Sequence, residues 1–121
     1  MSKLDKICPD IQKWPETWMG LEQDLDYGKK ILEEIMPFAE YLAGSGLTEV
    51  TIKKHLSYLW LLGGEIIRNV SMDNEYSIPA STKLRSVIGT DGGPYCRHLK
   101  TETKMKSFDS TCRKLHKYLN K

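Results

Sequence analysis

Twenty-two residues, Phe38 to Leu59, leave this chain little conformational freedom, because an amphipathic segment ends, two glycines follow, and a second segment opens with its own cap. Phe38, Tyr41 and Leu42 close the first segment. Gly44 and Gly46 supply the permissive backbone of a helix stop, and Thr48 stands where the next helix needs an N-cap. That order predicts a helical hairpin.

The flanking sequence extends both arms. Leu21, Leu25, Gly28, Leu32, Ile35, Ala39 and Leu42 recur in steps of three and four, the mark of one helical face. Pro37 lies inside that run, where it removes a donor and crowds the preceding turn, so a kink or break is expected near Ile35. The second helix is expected from Thr48 to about Val70, with Ile52, Leu56, Leu59, Gly63, Ile66 and Ile67 on one face. Apolar residues surround it at Leu59 to Leu62, which predicts a central helix. Each glycine of the Gly63-Gly64 pair costs roughly 1 kcal/mol against alanine, so close approach of another helix is the expected reason for them.

Beyond a polar connection at residues 71–78, Pro79 opens a short helix through Leu84, Val87 and Ile88 that Gly89 closes. Asp91-Gly92-Gly93-Pro94 signals a loop, extended by the polar run Lys100 to Lys106 and expected to be the mobile part. The last helix is expected from Ser107 or Asp109, carrying Phe108, Cys112, Leu115 and Leu119 on one face. Residues 1–20, with Trp14, Trp18, Pro9 and Pro15 and little periodicity, read as an extended N-terminal arm whose tryptophans pack on the helical domain, residues 21–121. β-branched residues nowhere alternate with polar ones over a strand length. The expected class is all-α, a compact bundle of four to five helices.

Composition bounds the function. At 121 residues there is room for one modest core, and with 40% hydrophobic and 28% charged residues no apolar run nears the length of a bilayer span. The first residues, Met1 to Pro9, lack the apolar core of a secretory leader, so a cytoplasmic location with no membrane partner is expected. Cys8, Cys96 and Cys112 have no repeated spacing and read as reduced thiols. Cys96, His98, Cys112 and His116 are too scattered for a closed metal site, and no cofactor motif is present. Asp24, Asp26, Glu33 and Glu34 sit among polar neighbours and give no support for acid–base catalysis. The net charge of +2 hides an asymmetry: residues 1–60 carry 7 Lys/Arg against 10 Asp/Glu, and residues 61–121 carry 11 against 6.

Two helix faces draw attention. On the last helix Arg113, Lys114, Lys117 and Lys121 fall within a band of roughly 100° opposite Phe108, Cys112 and Leu115, which suits phosphate contacts, although taken alone it is better explained as the solvated face usual for a surface helix. In the second helix Thr48, Thr51, Lys53, Lys54, His55 and Ser57 place donors in the first turns, where a helix entering a groove meets bases and phosphates; simple capping with exposed lysines explains them as well.

The pattern Phe38-x-x-Tyr41-Leu42-x-x-x-Gly46-Leu47-Thr48-x-x-Thr51-Ile52-x-x-x-Leu56-x-x-Leu59 resembles the N-terminal core-binding, SAM-like domain of tyrosine recombinases of the phage integrase type. Ser110-Thr111-x-Arg113-x-Leu115-x-x-Tyr118-Leu119 resembles the fourth helix of that domain. The resemblance implies a SAM-like helical bundle forming half of a DNA clamp, with its second and fourth helices toward the duplex. Carried over by position, the DNA-binding residues would be Thr51, Lys53, Lys54 and Ser57 on the second helix and Ser110, Arg113, Lys114 and Lys117 on the fourth. The recombinase catalytic domain has no counterpart in these residues, so strand cleavage is not expected. The expected function is non-catalytic binding of duplex DNA, linked to recombination or integration on a mobile element, with a recombinase as a partner. The alternative is a helical protein–protein adaptor anchored by Trp14 and Trp18.

Overall fold

The computed structural model describes residues 3–121. Helix, the 3-10 turn included, accounts for 72% of the described residues. It runs α1 (Lys3–Ile7), α2 (Trp14–Trp18), α3 (Glu22–Ala43), α4 (Glu49–Asp73), α5 (Ala80–Val87) and α6 (Glu102–Leu119), with a single 3-10 turn at Ile11–Lys13. Among the described residues there is no strand, and the only β-type pairing is an isolated bridge between Gly89 and Gly92.

The α3–α4 hairpin organises the rest. Gly44 caps α3, Gly46 takes a left-handed φ of 86°, and the Thr48 hydroxyl accepts the Thr51 N–H at 3.2 Å to start α4. α4 then runs through the middle, packed by α2, α3, α5 and α6. Leu59, Leu62, Ile66 and Val70 of α4 are fully enclosed, facing Ile31, Ile35 and Phe38 of α3 and Phe108, Cys112 and Leu115 of α6. Of the kink or break expected near Ile35, the break does not occur: α3 is one helix through Pro37. Pro37 lies on the exposed side, where the Glu33 carbonyl that loses its donor is open to solvent.

Residues 3–18 are not extended. Leu4, Ile11 and Trp14 belong to the core, so tertiary burial holds helices of five residues that would not persist alone; residues 1 and 2 of the expected arm lie outside the described part. The Trp18 ring covers Gly63, leaving no space for a Cβ there, which explains the first glycine of the pair; a Cβ at Gly64 would meet Trp18 only at ordinary contact distance. Its indole N–H donates to the Trp60 carbonyl at 3.0 Å, and the Trp60 indole N–H donates to the Thr17 hydroxyl at 2.8 Å. The Thr17 hydroxyl in turn donates to the Trp14 carbonyl at 2.7 Å.

The last third also departs from expectation. Residues 88–101 carry Ile88, Cys96 and Leu99 into the core, and the Gly93 N–H donates to Asp109 at 3.1 Å. α6 begins at Glu102 rather than Ser107, capped by the Thr101 hydroxyl on the Lys104 N–H. Its first turn is exposed all round, so it shows no apolar period, and it is supported by a Glu102–Lys106 ion pair at 3.3 Å.

Asp24 ties α3 to the connection after α4. Its carboxylate accepts the N–H groups of Gly20 and Leu21 at 3.0 and 2.8 Å and the Tyr76 hydroxyl. Burial pushes this carboxyl up, but the bonds from Tyr76, Leu21, Gly20 and Ser71 outweigh it and hold it below the ordinary carboxylate range.

Gly63→Ala is expected to destabilise the protein by about 1–3 kcal/mol through overpacking. In a Trp18→Ala background the same change is expected to stabilise by about 1 kcal/mol through helix propensity. A double-mutant cycle in urea reads the sign, and additive effects would contradict the lock. Asp24→Ala is expected to cost about 1–3 kcal/mol at pH 7. Because the folded carboxyl titrates below its unfolded value, its contribution is complete above about pH 4 and is lost as pH falls through the folded value. Urea midpoints at pH 7 and pH 2.5 should therefore differ less for the variant than for the parent.

Candidate functional site

His55 and Thr111 join the two helices singled out by charge. The imidazole Nδ1 of His55, on α4, lies 2.7 Å from the hydroxyl of Thr111, on α6, and that hydroxyl also lies 3.4 Å from the Ser107 carbonyl. Thr111 is fully buried, so the pair fixes the register of α6 on the first turns of α4. Burial, then the positive charges of Lys114 and Lys54, push the His55 imidazole below its usual range. The His55–Thr111 contact thus brings the start of α4 and the middle of α6, each bearing lysines, side by side.

The eight residues marked by the sequence do not form one patch. Lys54 adjoins His55 in α4, and Lys114 lies one turn after Thr111, the His55 partner, in α6. Lys114 and Lys117 line a cleft of about 330 Å³ between α6, the end of α3 and the turn before α4. Thr51 stays at the start of α4, its hydroxyl accepting from Thr48 at 2.9 Å. Lys53 and Ser57 instead line a groove beside α1 and α2, together with Lys13 and Trp60, and Lys53 pairs with Glu49 at 3.2 Å. Arg113 turns to the other side of α6, where its guanidinium donates to the Asp91 carbonyl at 3.4 Å. Ser110 is half-buried on α6. The helical wheel groups Arg113 with Lys117, but the packed 89–93 loop draws Arg113 away.

The cleft brings in residues that sequence reasoning did not mark as a site. Phe38, Tyr41 and Tyr118 cluster on its wall, with the Tyr41 and Tyr118 centroids 5.2 Å apart and those of Phe38 and Tyr118 5.4 Å apart. The Lys121 ammonium lies 4.7 Å from the Tyr41 ring centroid. The available signal was Tyr118 between Lys114 and Lys121 at helical spacing, which reads as ordinary amphipathicity until α3 is placed beside it.

On the opposite side of the molecule a groove of about 620 Å³ runs between α2 and α4, past Trp18, Trp60, Arg68 and Met72. Trp14 is buried and Trp18 covers Gly63, so both are engaged within the fold and cannot serve as the free anchors expected of them. All three cysteines are free thiols; burial, with Asp109 and Cys96 nearby, pushes Cys112 up to about 12. Among the described residues no group of three or more His, Cys, Asp or Glu side chains is placed to hold a metal ion, and no helix is long and apolar enough to cross a membrane.

No family model, curated protein or solved structure matches this chain.

Removing one of the two charges acting on His55 should move it predictably. Lys114→Ala is expected to raise the His55 pKa toward about 6.5, whereas Arg113→Ala should leave it in place. A histidine-selective NMR titration distinguishes the two, and an unmoved His55 in Lys114→Ala would contradict the convergence of these helices.

Proposed function

We propose that this helical domain binds duplex DNA without cutting it, laying the first turns of α4 and the adjoining side of α6 along the phosphates. The observation that carries the reading is the 2.7 Å His55–Thr111 contact, which sets the first turns of α4, with Lys54, against α6, with Lys114 and Lys117. A cationic seam at a helix start attracts phosphate through charge, through the helix dipole and through counterion release. Lys54, Lys114 and Lys117 position the backbone, and the Thr51 hydroxyl is the nearest candidate for a base edge. Lys53, Ser57 and Arg113 are peripheral to this seam, given the Glu49 ion pair, the second groove and the Asp91 contact.

In this reading α3, α4, α5 and α6 correspond in order to the four helices of a SAM-like integrase core-binding domain, and α4 and α6 are the pair that such a domain turns to DNA. The two sequence patterns and the His55–Thr111 tie between those helices support it. The role that follows is accessory: a DNA-holding module for recombination or integration on a mobile element, working beside a recombinase that supplies the chemistry.

A protein–protein adaptor is the second reading. It is favoured by half-exposed Trp60 and exposed Met72 along the α2–α4 groove, on a face that the DNA reading leaves unused.

Anisotropy of a fluorescent duplex of about 30 base pairs, titrated at several salt concentrations, tests the first reading. Saturable binding with a steep salt slope is expected. Lys114→Ala with Lys117→Ala should reduce that slope by about 1.8 with the thermal midpoint unchanged. Flat traces at low salt would overturn duplex binding and leave the adaptor.

A further inference from the structure

The cleft between α3 and α6 has a chemistry distinct from the phosphate seam beside it. Its charged lining side chains are Lys114, Lys117 and Lys121, and no carboxylate residue lines it. Its apolar wall is aromatic, with the Phe38 and Tyr41 rings stacked at an interplanar angle of 20° and Tyr118 tilted against both. Tyr41 is 50% exposed, so an aromatic face is presented rather than packed away. The Lys121 ammonium covers it, 4.7 Å from the Tyr41 centroid and 5.2 Å from that of Tyr118.

Rings that bind an ammonium would also accept a quaternary amine, but three lysines repel a cation. A simple anion would use the lysines and leave the rings idle. The ligand that uses both has a flat aromatic part and a negative charge next to it.

We infer that the cleft holds one unpaired nucleotide of a nucleic-acid strand, its base stacked on Tyr41 in place of Lys121 and its flanking phosphates on Lys114 and Lys117. The inference rests on the DNA reading, since Lys114 belongs to the seam and lines the same cleft as Tyr41, so a strand leaving the duplex there has Tyr41 within the cleft it enters. Base–aromatic stacking tolerates any base, which makes this a reader of strand ends, gaps or flipped positions rather than of sequence. Lys121 is the gate: displaced from the rings, its ammonium is free to meet the incoming phosphate.

The test uses the full chain and three fluorescent probes: a blunt duplex, the same duplex with a three-nucleotide overhang carrying 2-aminopurine, and a short single strand. The overhang duplex is expected to bind about 10-fold more tightly than the blunt one, with quenching of 2-aminopurine. Tyr41→Leu, which keeps apolar packing and removes the ring, should abolish both the preference and the quenching while leaving blunt-duplex affinity unchanged. Tyr41→Trp should keep both. Equal affinities for blunt and overhang probes, or an equal loss on both with Tyr41→Leu, would overturn the cleft while sparing the seam. Binding of overhang and single strand with no affinity for blunt duplex would overturn duplex binding while sparing the cleft. Silence on all three probes would remove both. Displacement of the strand by micromolar dAMP would assign the cleft to a free nucleotide, and displacement by a poly-glutamate peptide would reduce it to a charge site; either overturns the strand.

Discussion

Everything in this fold depends on how closely α2 can approach α4. A helix surrounded on nearly all sides needs one place where a neighbour reaches its backbone, and Gly63 provides it by leaving room for the Trp18 ring. The reciprocal indole bonds, Trp18 to the Trp60 carbonyl and Trp60 to the Thr17 hydroxyl, satisfy two donors at the edge of that contact. With α2 seated, Leu4 and Ile11 close over the core, and α1 and the 3-10 turn acquire a reason to be helical. The N-terminal segment is thus a structural part of the domain.

The two sides of α4 then serve different chemistry. Toward α6 the surface is polar and cationic and is held in register by the half-buried His55 against the buried Thr111. Toward α2 it is aromatic and sulfur-rich, with Trp60 and Met72 near the surface. Because α4 is one continuous helix, the two surfaces are rigidly related: a partner on the tryptophan side and a strand on the lysine side would be held at a fixed angle by a single rod.

The features that local chemistry determines were legible in the sequence. Thr48, Gly44 and Gly46 marked the hairpin through capping and backbone freedom, and the step pattern of α3 and α4 identified their buried faces. The helix stops and starts that depend on burial were not. Pro37 predicted a kink or break because sequence alone cannot say that the lost bond lies on the exposed side, and Glu102 to Lys106 looked like loop because a wholly exposed turn has no apolar rhythm. The same limit applies to the site. Charge patterning found Lys114 and Lys117, but the turn of Arg113 toward Asp91 follows from a packed loop, and the aromatic wall exists only once Tyr41 of α3 meets Tyr118 of α6.

The distance along the chain between Trp18 and its acceptor has a consequence for synthesis. The two are 42 residues apart, so at about 5–20 residues per second the Trp18 indole waits at least about 2–8 s for its notch on α4, although α1 and α2 can dock on α3 sooner. Over that interval α2 has α3 to rest on, but the face that α4 covers stays open. The length of that wait is set by where Gly63 falls in the sequence, which makes this glycine a timing element of biogenesis as well as a notch in a helix.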